Sequence, residues 1–215
     1  MCHKWHIVNS SHFRLEVVIL THAAEKYSTL FHGGTEIIRN PSVEHGRIDI
    51  DFGPGFYTTT DFKMAKKWAC SRSSSFINTY HFDSDSLNIL HLEANEEWLN
   101  YIVSNRSGDA SLSPFNDSLY DVIIGPTADD RIFVIADLYM DGYIGVDDAI
   151  EIINCMHYSE QVVFKKQESL IKSLKFIDGK QLYGQEKKLL QDAFRSDSLL
   201  ASRKTKELMK RIHRR

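Results

Sequence analysis

Segments of strand and helix periodicity follow one another irregularly along this chain, and that irregularity restricts its fold more than any other feature. Residues 47–52 alternate Ile48, Ile50 and Phe52 against Arg47, Asp49 and Asp51, a period of two that predicts a half-buried strand. Gly53-Pro54-Gly55 breaks it, and 56–59 is again β-prone. A helix is expected next, capped by Thr60 or Asp61, with Phe62, Ala65, Trp68 and Ala69 on one face and an end at 71–75. Residues 28–32 read as a short strand ending at Gly33-Gly34, and 76–82 and 87–92 as strands joined by Asp83-Ser84-Asp85. A helix is expected at 94–104, a polar surface loop at 105–118, and a buried strand at 119–125. Helices at 129–140 and 146–154 follow, then a strand at 161–164, a helical turn at 167–172 and a last strand at 174–177. Strands and helices mixed without regular βαβ alternation predict an α+β domain.

The 215 residues, 42% of them hydrophobic, suffice for one substantial core. The reading divides the chain into an N-terminal segment, 1–27, a globular domain, 28–183, and a helical C-terminal tail, 184–215, with Leu189, Ala193, Leu200, Leu208 and Ile212 roughly on one side. Net charge is −3, but the tail holds ten Lys/Arg against four Asp/Glu, a net of +6, which leaves −9 for 1–183. A solvated amphipathic helix or a basic arm fits that asymmetry. Cys2, Cys70 and Cys155 are odd in number and widely spaced, which is no disulfide framework. No apolar run approaches the ~20 residues of a membrane helix, so no membrane partner and a cytoplasmic location are expected.

Three separated segments carry the chemistry. They are Leu30-Phe31-His32-Gly33-Gly34, then 51–59 ending Gly53-Pro54-Gly55-Phe56-Tyr57-Thr58-Thr59, then Ser159-Glu160-Gln161-Val162-Val163-Phe164. Singly they say little: His-Gly is a common turn dipeptide, and a tryptophan at helical spacing usually faces the core. Their order is more specific. On these residues, together with 120–131, the chain between about Thr29 and Asp178 resembles a bacterial family of ADP-ribosyltransferase-like proteins of otherwise unknown function. More distantly it is similar to the poly(ADP-ribose) polymerase and diphtheria-toxin class.

The resemblance implies a split β-sheet core with flanking helices and NAD as the substrate. It places the nicotinamide, a planar cationic ring, against the aromatic faces of Tyr57 and Trp68. Gly33 would let the carboxamide approach the backbone, Gly55 belongs to the turn leading to Tyr57, and His32 would hydrogen-bond a ribose hydroxyl. Glu160 or Gln161 would stabilise the cationic ribose as the glycosidic bond breaks. On a strand the two point to opposite faces, so only one can face the cleft. The bacterial resemblance favours Gln161, and the polymerase pattern favours Glu160.

The expected activity is mono-ADP-ribosylation of a macromolecular acceptor, protein or nucleic acid. Proteins of this kind often serve as toxins, which implies a neutralising antitoxin partner. The rival readings are an NAD glycohydrolase and an inactive NAD- or nucleic-acid-binding module. No metal is expected. Residues 137–148 mimic a calcium loop, but Tyr139 and Asp148 stand where an oxygen ligand and the longer Glu belong, and a turn between helices is the better reading. Cys2, His3, His6 and His12 match no closed zinc spacing.

Overall fold

A computed structural model describes residues 26–44, 50–70, 74–128, 130–154 and 158–212. Seven strands form one mixed sheet: β1 (Thr29–Gly34), β2 (Phe56–Thr59), β3 (Phe76–Phe82), β4 (Ile89–His91), β5 (Val122–Pro126), β6 (Glu160–Phe164) and β7 (Leu174–Gln181), in the order β4-β5-β6-β2-β1-β3-β7. Between them lie α1 (Phe62–Cys70), α2 (Glu96–Ser107), α3 (Asp130–Met140), α4 (Val146–Asn154) and α5 (Gln167–Ser173), with α6 (Gly184–Ile212) closing the chain. Strands and helices alternate without a parallel βαβ repeat. Among the described strands only β4 and β5 pair parallel, as expected of an α+β chain.

Two halves of this sheet meet at a narrow seam. Strand β1 pairs with β3 at six positions from Thr29 to Gly34, and β2 with β6 at four. Between β1 and β2 a single pair, Phe31 with Thr59, joins the halves.

Alternation along the strands sorts their side chains. Ile123 and Val163 join α2, α3 and α4 in one cluster, with Phe52, Trp98, Tyr101 and Ile152. Val122, Ile124, Val162 and Phe164 face the other way, packing with Leu30, Phe56, Tyr80 and Leu170 of α5. A smaller cluster of Ala65, Ala69, Cys70, Ile77 and Leu182 seats α1 on the sheet. Each fully buried side chain contributes about 1.5–3 kcal/mol, so the sheet's register is held from both faces. A one-residue slip would turn every one of them inside out.

Local chemistry accounts for the helix ends. The Asp61 carboxylate accepts from the N–H groups of Lys63 at 2.7 Å and Met64 at 3.3 Å, capping α1. The Asn95 side chain does the same for α2 through Trp98 N at 3.0 Å, and Gly108, at φ 73°, ends it.

Several expectations change. Residues 50–52 form a turn, with Gly53 N donating to Ile50 O at 2.9 Å, and the remainder of the expected 47–52 strand lies outside the described residues apart from that turn. Asp51 and Phe52 are both buried, which a half-buried strand does not permit. Helix α2 runs to Ser107, and the expected loop after it contains two 3₁₀ turns, Ala110–Leu112 and Asp117–Leu119. Strand β7 continues to Gln181, and β4 does not pair with β3 but lies at the opposite edge of the sheet.

The first turns of α6 pack on the domain. Leu190 reaches the α1 cluster, and Gln191 Nε2 donates to the Cys70 carbonyl at 2.8 Å. No helix of the described residues is long and apolar enough to cross a membrane.

Candidate functional site

The three predicted segments lie on three neighbouring strands, β1, β2 and β6. Pairing places Phe31, Thr59, Gln161 and Gly125 in one row across β1, β2, β6 and β5. Counting from that row, Tyr57, Gln161 and Val163 share the face that carries the α2–α4 cluster. His32 and Glu160 have the opposite parity, that of Phe56, Val162 and Phe164.

His32 stands at the seam. Its ring stacks on Phe56 at 4.7 Å, and Nδ1 lies 2.7 Å from the Tyr57 carbonyl. A carbonyl only accepts, so Nδ1 carries the proton, and Nε2 is the acceptor of the neutral ring. The imidazole thus occupies a carbonyl where the β1–β2 ladder lapses.

Gly33 has a reason for being glycine that differs from the expected one. A Cβ there would lie 2.1 Å from Ala65 O and 2.8 Å from Ala69 N. The absent side chain admits the backbone of α1, which places that helix against β1 on the Tyr57 face. Gly55 has a similar role, since its Cβ would lie 2.6 Å from the Phe164 carbonyl of β6. On α1 the buried positions are Ala65, Ala69 and Cys70, while the Trp68 indole is half-buried. Phe62 is 40% exposed and meets Phe31 edge-on at 5.0 Å.

Tyr57 is held at its far end. Its hydroxyl donates to Gly53 O at 2.7 Å and accepts from Phe52 N at 3.0 Å. Burial, then the neighbouring Asp51 carboxylate, push this phenol well above its ordinary pKa, so it stays neutral. The ring is therefore fixed in place, and its neutral hydroxyl is not poised as a base.

Behind it lies a polar knot that the sequence reading did not identify. Asp51, 7% exposed, accepts from Arg106 Nη2 at 2.5 Å, Ala128 N at 2.9 Å and Gln161 Nε2 at 3.4 Å. Burial raises the Asp51 pKa, and the guanidinium and these donors oppose that rise without cancelling it. The Phe52 carbonyl accepts from Tyr101 Oη at 3.2 Å and from Lys165 Nζ. Lys165 also pairs with Asp117 at 3.1 Å, and burial holds its pKa below the usual lysine value. One signal was readable: Asp51 sits beside Gly-Pro-Gly in a run with apolar neighbours. Its partners are 55 to 110 residues away, and no local pattern announces them.

Gln161 and Glu160 diverge. Gln161 is 2% exposed, inside this knot. Glu160 is 34% exposed, accepts from Tyr27 Oη at 3.1 Å and pairs with Lys26. Among the described residues no three His, Cys, Asp or Glu side chains gather as metal ligands. Within the 137–148 segment, residues 141–145 form the turn between α3 and α4, with Gly142 at φ 72°. Cys2, His3, His6 and His12 lie outside the described residues.

No curated protein and no solved structure matches this chain. A family described as a protein of unknown function (DUF3990) matches residues 28–176, more than half of the chain, which therefore belongs to that family. The match begins one residue before β1 and ends within β7, so it takes in every strand of the site.

Proposed function

We propose that this DUF3990 member binds NAD at the β1–β2 seam and transfers ADP-ribose to a macromolecular acceptor. One observation carries the reading: the sheet parts where His32, Gly33 and Tyr57 converge, with His32 Nδ1 on the Tyr57 carbonyl at 2.7 Å. A parted ladder leaves backbone donors and acceptors for a carboxamide, and the anchored Tyr57 ring offers a face to a cationic pyridinium. Helix α1 closes the same side and carries Trp68. His32 lies on the opposite face, so on this reading it holds the Tyr57 carbonyl at the seam rather than joining Gln161 at the ribose. Gln161 shares the Tyr57 face, which supports it over Glu160 as the residue at the reacting ribose.

Incubation with NAD tests this directly. Nicotinamide release together with labelled ADP-ribose on a macromolecule supports transfer. Release with water as the only acceptor makes the protein a glycohydrolase.

A second reading, an NAD-binding module without chemistry, has its own support. Gln161 is uncharged, and the carboxylate nearest to it, Asp51, is buried and tied to Arg106. NAD-dependent thermal stabilisation without any nicotinamide release would favour that reading.

A further inference from the structure

Gln161 is almost fully buried, yet its side chain is satisfied at one end only. Nε2 donates to Pro126 O at 3.2 Å and to Asp51 Oδ2 at 3.4 Å. Neither partner donates in return. The Pro126 carbonyl also takes the Trp98 indole N–H at 3.1 Å, and the Asp51 carboxylate is occupied by Arg106 and Ala128 N. An amide placed between two acceptors has one permitted orientation: the NH₂ group faces them and Oε1 faces away. No described donor reaches Oε1. With the NH₂ group fixed on its two acceptors, Oε1 is the end of the amide left for water or a ligand hydroxyl to reach.

We propose that Asp51 is a positioning residue: with Pro126 it clamps the Gln161 amide so that Oε1 is offered on the Tyr57 face to a ribose hydroxyl. This rests on the NAD reading above. The ionised carboxylate also polarises the amide it accepts from and places more negative charge on Oε1, the sign that a cationic ribose needs. An acceptor at this point selects a hydroxyl donor and rejects a phosphate or carboxylate there. The groups facing Asp51 are Arg106 of α2, the Tyr57 phenol of β2, Gln161 of β6 and the Ala128 N–H. Tyr101 and the Lys165–Asp117 pair lie one residue on, at the Phe52 carbonyl.

Gln161→Glu tests the clamp without reference to NAD. It replaces the donor with an oxygen that faces two acceptors, so the introduced carboxyl fits only when protonated. Its folded-state pKa is then raised, and stability present below the free glutamate value of about 4.3 is lost as pH rises through the folded value. Relative to the parent protein, the melting temperature of Gln161→Glu should fall by about 4 °C for each unit of that rise between about pH 4.5 and pH 7. Adding Asp51→Asn removes the like charge and supplies a donor, so the double variant should lose this extra pH dependence. The slopes are compared rather than the absolute stabilities, because Asp51→Asn also weakens the pair with Arg106. The same slope with and without Asp51 overturns the clamp.

The second readout is turnover. Asp51→Asn should lower kcat for nicotinamide release about tenfold, with KM for NAD changed less than about twofold, because the lost interaction is made in the transition state. Unchanged kcat overturns the positioning role. Should the parent protein release no nicotinamide while the melting slope still follows Asp51, the clamp stands and the transferase reading falls.

Discussion

The two borders of strand β1 are built differently. Toward β3 the ladder is continuous, with six registered pairs from Thr29 to Gly34. Toward β2 it has one, Phe31 with Thr59. On the first border backbone satisfies backbone. On the second, the His32 imidazole takes the Tyr57 carbonyl and α1 fills the space beside Gly33. Polar backbone groups away from water must be satisfied somewhere. A continuous border spends them on rigidity, whereas an interrupted one hands them to side chains and to the packed helix. The β3 border is scaffold, and the β2 border is where we propose that a ligand binds.

The largest effect that would test this contrast is steric. Gly33→Ala puts a Cβ 2.1 Å from the Ala65 carbonyl, a backbone atom of a packed helix that has no rotamer to escape into. We expect a loss of about 3 kcal/mol or more by chemical denaturation. Gly179→Ala, on β7, meets only the Ile37 side chain, at 2.8 Å, and side chains move. We expect about 1 kcal/mol or less there. Equal losses would break the idea that α1 is specially fitted to the seam.

Next comes the aromatic wall. Tyr57→Ala should abolish nicotinamide release, a fall of at least about 100-fold, while the protein stays folded as judged by a cooperative melt. Tyr57→Phe keeps the ring and forfeits the hydroxyl's bonds to Phe52 N and Gly53 O. It should lose about 1–2 kcal/mol of stability and keep most of its turnover. Release that survives Tyr57→Ala would remove Tyr57 from the site.

How much of this could be read from the sequence follows from the range of the interactions. Strands β1, β2, β3 and β6 and helices α1, α3 and α4 announced themselves, because local periodicity and the Asp61 and Gly signals are written in adjacent residues. The segment at 50–52 misled, since Ile50, Asp51 and Phe52 alternate like a strand. Burial of the Asp51 carboxylate against Arg106, 55 residues later, overrides that pattern. The role of Gly33 was hidden for the same reason: glycine signals a close approach but does not say by what. Strand parity predicted that Glu160 and Gln161 face opposite ways, but the sheet order was needed to put Gln161 with Tyr57.

A smaller effect is expected at His32. Its replacement by alanine removes the bond to the Tyr57 carbonyl and the stack on Phe56, together about 1–2 kcal/mol. Because the seam has only one backbone pair, that loss should appear as faster amide exchange at β1 and β2 and not at the β1–β3 ladder. Uniform protection loss would mean that the two borders are not mechanically distinct.

The smallest stability effect is expected at Glu160, and it separates the two faces most cleanly. Its carboxylate is 34% exposed, and its partner Lys26 is 50% exposed, so solvent screens the pair. Glu160→Ala should lose only about 0.5 kcal/mol, a loss that diminishes further in salt. Since Glu160 lies on the face opposite Tyr57, nicotinamide release should be nearly unchanged, while Gln161→Ala should reduce it sharply. The reverse outcome, release lost with Glu160→Ala and kept with Gln161→Ala, would move the reacting ribose to the His32 face. Tyr57 would then be a structural prop of the seam rather than its wall.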